Sequence, residues 1–315
     1  MRIAVMGTGA VGGYFGAKLA AAGHDLVFIA RGNHLEAMRR AGLRIDSTSA
    51  ALQVRDSLFT DNPAESRTVD LVLFCVKSYD TETAAQALAP LIGDTTMILS
   101  LQNGIDNPEK IAQAWGAQRT FAGVVYVGAQ VTAPGVIFHS SGGKIVLGPY
   151  DSAGNGPAAE LIAQTLSSAG IDCTVSRNVP KVQWSKLLWN APFCAISSLA
   201  RADTRQILES EELKKLAIAC MAEVQAAARA RGIDLPARLF EETIAFSAGL
   251  GPFKPSMLQD LEAGKSLEYE AFNGIVVKIL HHAGIAAPVN ECFYALLQQL
   301  DRNLPRRLHT DHDHG

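Results

Sequence analysis

The chain has 315 residues, enough for about two domains at roughly 150 residues each. Hydrophobic residues make up 48% and charged residues 19%, which is globular usage and excludes intrinsic disorder. The formal net charge of -3, from 28 basic and 31 acidic side chains, argues against a general affinity for nucleic acid or anionic membranes.

The first half alternates short apolar runs with amphipathic stretches. Strands are predicted over Arg2–Met6, Asp25–Ala30, Val69–Val76 and Thr96–Leu101, and helices over Ala10–Ala22 and Tyr79–Leu91. Strands alternating with helices imply a parallel sheet, and near-continuous apolar strands imply helices on both of its faces. Phe121–Val131, Gly135–His139 and Lys144–Leu147 read as extended segments joined by Gly and Pro turns, able to extend the sheet in antiparallel fashion. A helix over Gly154–Gly170 and a strand over Ile171–Val175 follow. From about Arg177 the pattern is helical, with Glu211–Arg231, Pro236–Ala248, Ser256–Ala263, Tyr269–His282 and Asn290–Leu304 as helices. The expected fold class is α/β: a doubly wound N-terminal sheet over 1–176, an all-α domain over 177–305, and a polar, frayed tail over 306–315.

Cys75, Cys173, Cys194, Cys220 and Cys292 are odd in number and far apart, with no metal-ligand spacing. They read as free thiols in a reducing compartment, so no metal site and a cytoplasmic location are expected. The N-terminus reaches a glycine cluster at once, without a signal-peptide apolar region, and no run of about 18 apolar residues offers a membrane span.

Gly7-Thr8-Gly9-Ala10-Val11-Gly12 is a GxGxxG turn between a strand and an amphipathic helix. In that context its first glycine permits the tight turn, the second admits a pyrophosphate, and the third lets helix and strand pack closely. NAD-selective folds carry an acid about 20 residues on, at the end of the second strand. Here the strand LVFIA ends in Arg31, a guanidinium suited to a 2′-phosphate, so the cofactor reading is NADP(H). Lys77 and Asn103 follow two further strands at their carboxyl ends, where doubly wound sheets bind ligands. Each also has a plain reading, as a surface charge and as half of an Asn-Gly turn.

In the helical half, Lys186, Asn190 and Cys194 are spaced i, i+4, i+8 and share one helical face, flanked by Trp184, Leu187 and Trp189. Pro192 removes the hydrogen bond to residue 188 and predicts a kink. The face reads either as a partly buried lysine meeting a substrate or as a snorkelling lysine beside a polar asparagine. Ser256 and Gln259 match a capping box, and Glu268 stands just ahead of an apolar helix containing Asn273-Gly274.

In order and spacing, IAVMGTGAVGGYFGAKLAAAGHDLVFIAR, VDLVLFCVKSYDT, LQNGIDN, GVIFHSSGGKIVLG, WSKLLWN, PSMLQDLEAGKSLEYEAFNG and HHAGIAAPVNE resemble the ketopantoate reductase family over nearly the whole chain. The resemblance implies an N-terminal NADP-binding Rossmann domain, an all-α C-terminal domain and an active site in the cleft between them. It implies NADPH-dependent reduction of 2-dehydropantoate to (R)-pantoate, on the way to pantothenate and coenzyme A. By the same resemblance Lys186 is the catalytic lysine, Asn190 and Ser256 bind the substrate, and Glu268 contacts the cofactor side and is needed for activity. Lys77 and Asn103 lie near nicotinamide and substrate, Arg31 meets the 2′-phosphate, and Ala129 in VGAQV touches the cofactor. Cys194 stands where family members carry a substrate-binding asparagine, and Phe253-Lys254-Pro255 replaces a more polar approach to Ser256. These departures bear on which 2-oxo acid is reduced. The only partner implied is a small 2-oxo acid, and a homodimer is left open.

Overall fold

A computed structural model describes residues 1–48, 51–151 and 155–305. The expectations for the tail 306–315 and for Gly154 at the head of its helix lie outside the described residues. The chain divides into two compact units, Met1–Gln183 and Trp184–Gly315.

The first unit runs β1 (Arg2–Met6), α1 (Ala10–Ala21), β2 (Asp25–Ile29), α2 (Gly32–Ala41), β3 (Leu43–Ser47), β4 (Leu52–Val54), β5 (Leu58–Thr60), β6 (Val69–Phe74), α3 (Thr81–Ala87), β7 (Ile92–Ser100), α4 (Asn107–Trp115), β8 (Thr120–Ala133), β9 (Val136–Pro149), α5 (Gly156–Ser168) and β10 (Asp172–Val175). The long helix α6 (Val179–Ala200) begins here, so the division falls inside a helix, whereas the sequence suggested a boundary near residue 176.

The strands join one sheet in the order β4-β3-β9-β8-β7-β6-β1-β2-β5, with β10 also paired to β9. From β8 through β5 all neighbours are parallel. The chain moves outward from β1 to β2 on one side and then crosses to β6 on the other, which makes the β1/β6 edge the topological switch point. Side chains of β1 alternate between two apolar clusters. Ile3 and Val5 face the cluster holding Phe15, Leu19 and Leu166, while Ala4 and Met6 face the one holding Ala84, Leu88 and Ile111. Helices cover both faces, which is why these strands read as continuous apolar runs rather than alternating ones.

The three extended segments expected after residue 120 are one antiparallel hairpin, β8 with β9, turned at Pro134-Gly135, where Gly135 takes φ +75°. The helix expected over Tyr79–Leu91 is α only over Thr81–Ala87; Pro90, lacking an N–H, leaves a 3-10 turn at Ala89–Leu91. The strand expected to reach Val76 stops at Phe74. The strands between Leu43 and Thr60, and helices α2 and α4, were not anticipated.

The second unit continues α6 and adds α7 (Thr204–Glu209), α8 (Glu211–Ala230), α9 (Arg238–Leu250), α10 (Ser256–Glu262), a π-helical turn over Glu270–Gly274, α11 (Ile275–His282) and α12 (Pro288–Arg302). Ser210 caps α8 by accepting from the Leu213 N–H, with Glu211 and Glu212 complementing the dipole in its first turn. The α8 face Ala217, Cys220, Met221, Val224, Ala227 and Ala228 is buried, at helical spacing. Helix α6 extends from Val179 to Ala200 and contains Pro192. One expectation needs correction. Ser256 is not an N-cap: Pro255 occupies that position, and the Gln259 amide donates to the Lys254 carbonyl at 2.8 Å instead of closing a capping box.

Candidate active site

In the first unit the strand register sets the geometry. Met6 pairs with Ile29 and with Phe74, and Phe74 pairs with Ser100, so β1, β2, β6 and β7 end level with one another. Gly7 follows the first of these ends and takes φ +95°, and a Cβ there would sit 2.7 Å from the Val76 nitrogen. A Cβ on Gly12 would meet the Gly7 carbonyl and come within 2.8 Å of Val5 Cγ1. Both glycines are therefore required by the protein's own packing. Gly9 is different: its φ of -87° suits any residue, and a Cβ there would have no atom within 4 Å. Packing does not explain this glycine, whereas a group approaching the backbone from outside does.

The turn is braced from behind. The Gly7 and Thr8 N–H groups and the Thr8 hydroxyl all donate to the Ile29 carbonyl, at 3.2, 2.9 and 3.0 Å. Thr8 is thus directed at the end of β2 rather than outward. The N–H groups of Ala10, Val11 and Gly12, in the first turn of α1, have no intrahelical acceptor. No acid stands in that turn, so donors and dipole present an anion-binding end. Arg31, exposed, lies two residues past the end of β2 and opens α2.

Lys77 and Asn103 each lie three residues past their level strand ends. A buried network holds their loops. Ser100 donates to Gln102 Oε1 at 3.0 Å, and Gln102 Nε2 donates to Thr81 Oγ1 at 2.7 Å. Thr81 Oγ1 lies 2.8 Å from Asn107 Oδ1, and Asn107 Nδ2 donates to the Asn103 carbonyl at 2.7 Å. Gln102, Thr81 and Asn107 were not singled out from the sequence, whose local periodicity carries no mark of partners 21 and 26 residues apart. Ala129 lies on β8 opposite His139 and packs against the apolar core.

In the second unit, four predicted residues from three separate segments come together. Lys186 on α6 is half-buried, and burial pulls its ammonium down to about 8, while the Glu268 carboxylate acts in the opposite sense. Glu268, only 5% exposed, lies two residues before the π-helical turn. Cys194 is fully buried, and burial pushes its thiol up to about 12, so it is neutral. Ser256 and Met257, at the start of α10, lie beside Cys194 of α6 and partly offset the effect of burial on its thiol. Asn190 lies one turn from both Lys186 and Cys194, is 5% exposed, and makes no side-chain hydrogen bond among the described residues. The cluster offers a cation of lowered basicity, a nearby carboxylate, a hydroxyl and an unpaired amide, a set suited to polarising and protonating a carbonyl oxygen.

No helix among the described residues is long and apolar enough to cross a membrane, and they hold no group of three or more potential metal ligands. Residues 3–152 match the family described as Ketopantoate reductase PanE/ApbA, and residues 178–301 match its C-terminal counterpart. A 2-dehydropantoate 2-reductase of Mesorhizobium japonicum is 32% identical, over 95% of this chain and 98% of that protein. The crystal structure of a PanE/ApbA family ketopantoate reductase from Ralstonia eutropha superposes with a TM-score of 0.88 at 33% identity, covering 96% of this chain and 99% of that one. A ternary structure of D-mandelate dehydrogenase with NADH and anilino(oxo)acetate reaches a TM-score of 0.90 over 96% and 99% of the two chains, but at 22% identity it shares the fold alone. Both family descriptions apply in succession along one chain, over the units that carry the glycine turn and the lysine cluster, and the chain belongs to the ketopantoate reductase family.

Proposed function

We propose that this protein catalyses the NADPH-dependent reduction of 2-dehydropantoate to (R)-pantoate, a cytoplasmic step toward pantothenate and coenzyme A. The observation that carries the reading is the convergence of Lys186, Glu268 and Ser256 around α6, with the unpaired Asn190 amide on the same helix. The open position at Gly9 and the bare N-terminus of α1 fit a pyrophosphate, and Arg31 fits a 2′-phosphate. When bound, the nicotinamide supplies the hydride. Lys186 then stabilises the charge growing on the ketone oxygen and delivers the proton to it. Glu268 keeps Lys186 cationic against the cost of burial. Asn190 donates to the substrate's polar groups, and the Ser256 hydroxyl orients its carboxylate. Lys77 and Asn103 border the reacting end of the cofactor, held by the Gln102–Thr81–Asn107 network.

A second reading concerns the substrate alone. Cys194 presents a buried, neutral thiol where family members carry an amide, and Ser256 lies beside it. That favours a 2-oxo acid with an apolar end over the hydroxylated end of 2-dehydropantoate. NADPH oxidation measured with 2-dehydropantoate and a panel of branched and aromatic 2-oxo acids decides between the two. Highest kcat/KM on 2-dehydropantoate supports the first reading, and highest kcat/KM on an apolar analogue supports the second. Absence of turnover with every 2-oxo acid overturns both.

A further inference from the structure

Behind the lysine cluster lies a second, buried polar chain. Glu223 on α8 accepts from the Val289 N–H at 2.9 Å, the Asn290 N–H at 2.8 Å and Asn290 Nδ2 at 2.7 Å. A carboxylate only accepts, so it fixes which way the Asn290 amide faces. Asn290 Oδ1 must then point away, where it accepts from Asn273 Nδ2 at 2.9 Å. The same Asn273 nitrogen also donates to the Ala191 carbonyl of α6 at 3.2 Å. Both Asn273 hydrogens are in use, and its Oδ1 is buried without a partner. Asn273 and Asn290 are fully buried.

The far end of this chain touches α6 at a particular place. Ala191 separates Asn190 from Pro192, and Pro192 deprives the Leu188 carbonyl of its helical donor, so the helix is softened where it carries Asn190. At the near end, Asn273 belongs to the π-helical turn that begins two residues after Glu268. π-Turns are rare in proteins and are frequent at functional sites. A Cβ on the adjoining Gly274 would come within 2.9 Å of the Tyr294 ring, so this turn is also pressed against α12. An apolar side chain at 273 would fill the space without stranding a carbonyl oxygen, so packing alone does not select asparagine.

Resting on the reading of Lys186 as proton donor, we propose that Asn273 is a positioning residue. Through the Glu223–Asn290–Asn273–Ala191 chain it sets the register between the turn that carries Glu268 and the helix face that carries Lys186, Asn190 and Cys194. It touches neither substrate nor cofactor. Its effect falls on the barrier to reduction rather than on binding.

The test compares wild type with Asn273→Leu, which keeps the branching and the heavy-atom count and removes both donors. Glu223→Gln is the milder second variant, on a half-buried side chain, in case Asn273→Leu fails to fold. Hydrogen–deuterium exchange over residues 186–194, the thermal midpoint, NADPH affinity and steady-state kinetics are measured on each. The expected result is faster exchange confined to 186–194, NADPH affinity and KM within about threefold of wild type, and kcat lowered at least tenfold in Asn273→Leu, with a smaller change of the same kind in Glu223→Gln. Unchanged exchange over 186–194 overturns the proposal whatever the kinetics. Faster exchange with unchanged kcat overturns it too, because α6 is then tied for stability alone. Full turnover in a parallel Lys186→Ala variant instead refutes the proton-donor reading, and this inference falls with it.

Discussion

Lys186 is the residue whose environment most constrains the chemistry. Burial lowers its ammonium from the ordinary 10.5 to about 8. A general acid must carry its proton, so turnover should be level at lower pH and fall as the pH passes about 8. The sign for stability is opposite. Between about 8 and 10.5 the unfolded chain holds a proton that the folded chain has released, so this group favours folding progressively more across that window. Loss of activity above 8 would therefore accompany a retained fold, which circular dichroism at each pH checks. Lys186→Ala should lower kcat on the order of a hundredfold or more, with NADPH binding intact. Lys186→Arg should also be poor and should lose the limb near 8, because a guanidinium stays charged and has a different shape. Cys194, pushed up to about 12, does not titrate in this range and cannot be mistaken for Lys186. Cys194→Asn restores an amide beside Asn190 and should raise kcat/KM for 2-dehydropantoate relative to an apolar 2-oxo acid. An unchanged ratio would show that residue 194 does not choose the substrate.

Among the elements, the β1–turn–α1 unit separates structural from ligand-facing glycine most clearly. Gly9→Ala adds a methyl where no atom lies within 4 Å, so stability should stay within about 0.5 kcal/mol of wild type. NADPH affinity should nonetheless fall at least tenfold, because the methyl occupies the path of the pyrophosphate. Gly12→Ala forces a methyl against the Gly7 carbonyl and Val5, and should cost about 1–3 kcal/mol of stability. Urea denaturation with an NADPH fluorescence titration on both variants reads the contrast. Equal NADPH affinity in Gly9→Ala and wild type would remove the turn from the cofactor site. The same unit shows why GxGxxG was readable: the positive φ of Gly7 and the contact of Gly12 with Gly7 and Val5 are set within a few residues, although Gly7 is also pressed against Val76 of the neighbouring strand end. The Gln102–Thr81–Asn107 network works across α3, α4 and the end of β7, and no local spacing announces it.

At the scale of the whole molecule, a cofactor that binds only the folded chain raises its apparent stability, by about 2.7 kcal/mol at a concentration one hundred times its Kd. NADPH should accordingly raise the thermal midpoint more than NADH at the same concentration, since Arg31 stands beyond β2 where an acid would favour NADH. Arg31→Ala should shrink the NADPH shift toward that of NADH and leave the NADH shift nearly unchanged. Equal shifts with the two cofactors in the wild-type chain would reverse the assignment of cofactor preference.

What the sequence determined by itself is what short-range periodicity and backbone chemistry encode. The parallel strands, the glycine turn, the later change to helical spacing, and the common face of Lys186, Asn190 and Cys194 all follow from residues within about two helical turns of one another. Strand order did not follow, because the pairings of β3 with β9 and of β1 with β6 join segments far apart in the chain. The capping box at Ser256 illustrates the limit: the local pattern lost to tertiary context, with Pro255 at the N-cap, Ser256 beside Cys194 of α6 and Gln259 turned to Lys254. Glu268 could be named as a candidate, but only the fold brings its charge to Lys186, 82 positions earlier in number. Asn273 likewise meets the Ala191 carbonyl across a separation of 82 residues. A side chain's local pattern limits the elements it can join, and long-range packing decides which distant polar atom it faces and therefore what chemistry it can perform.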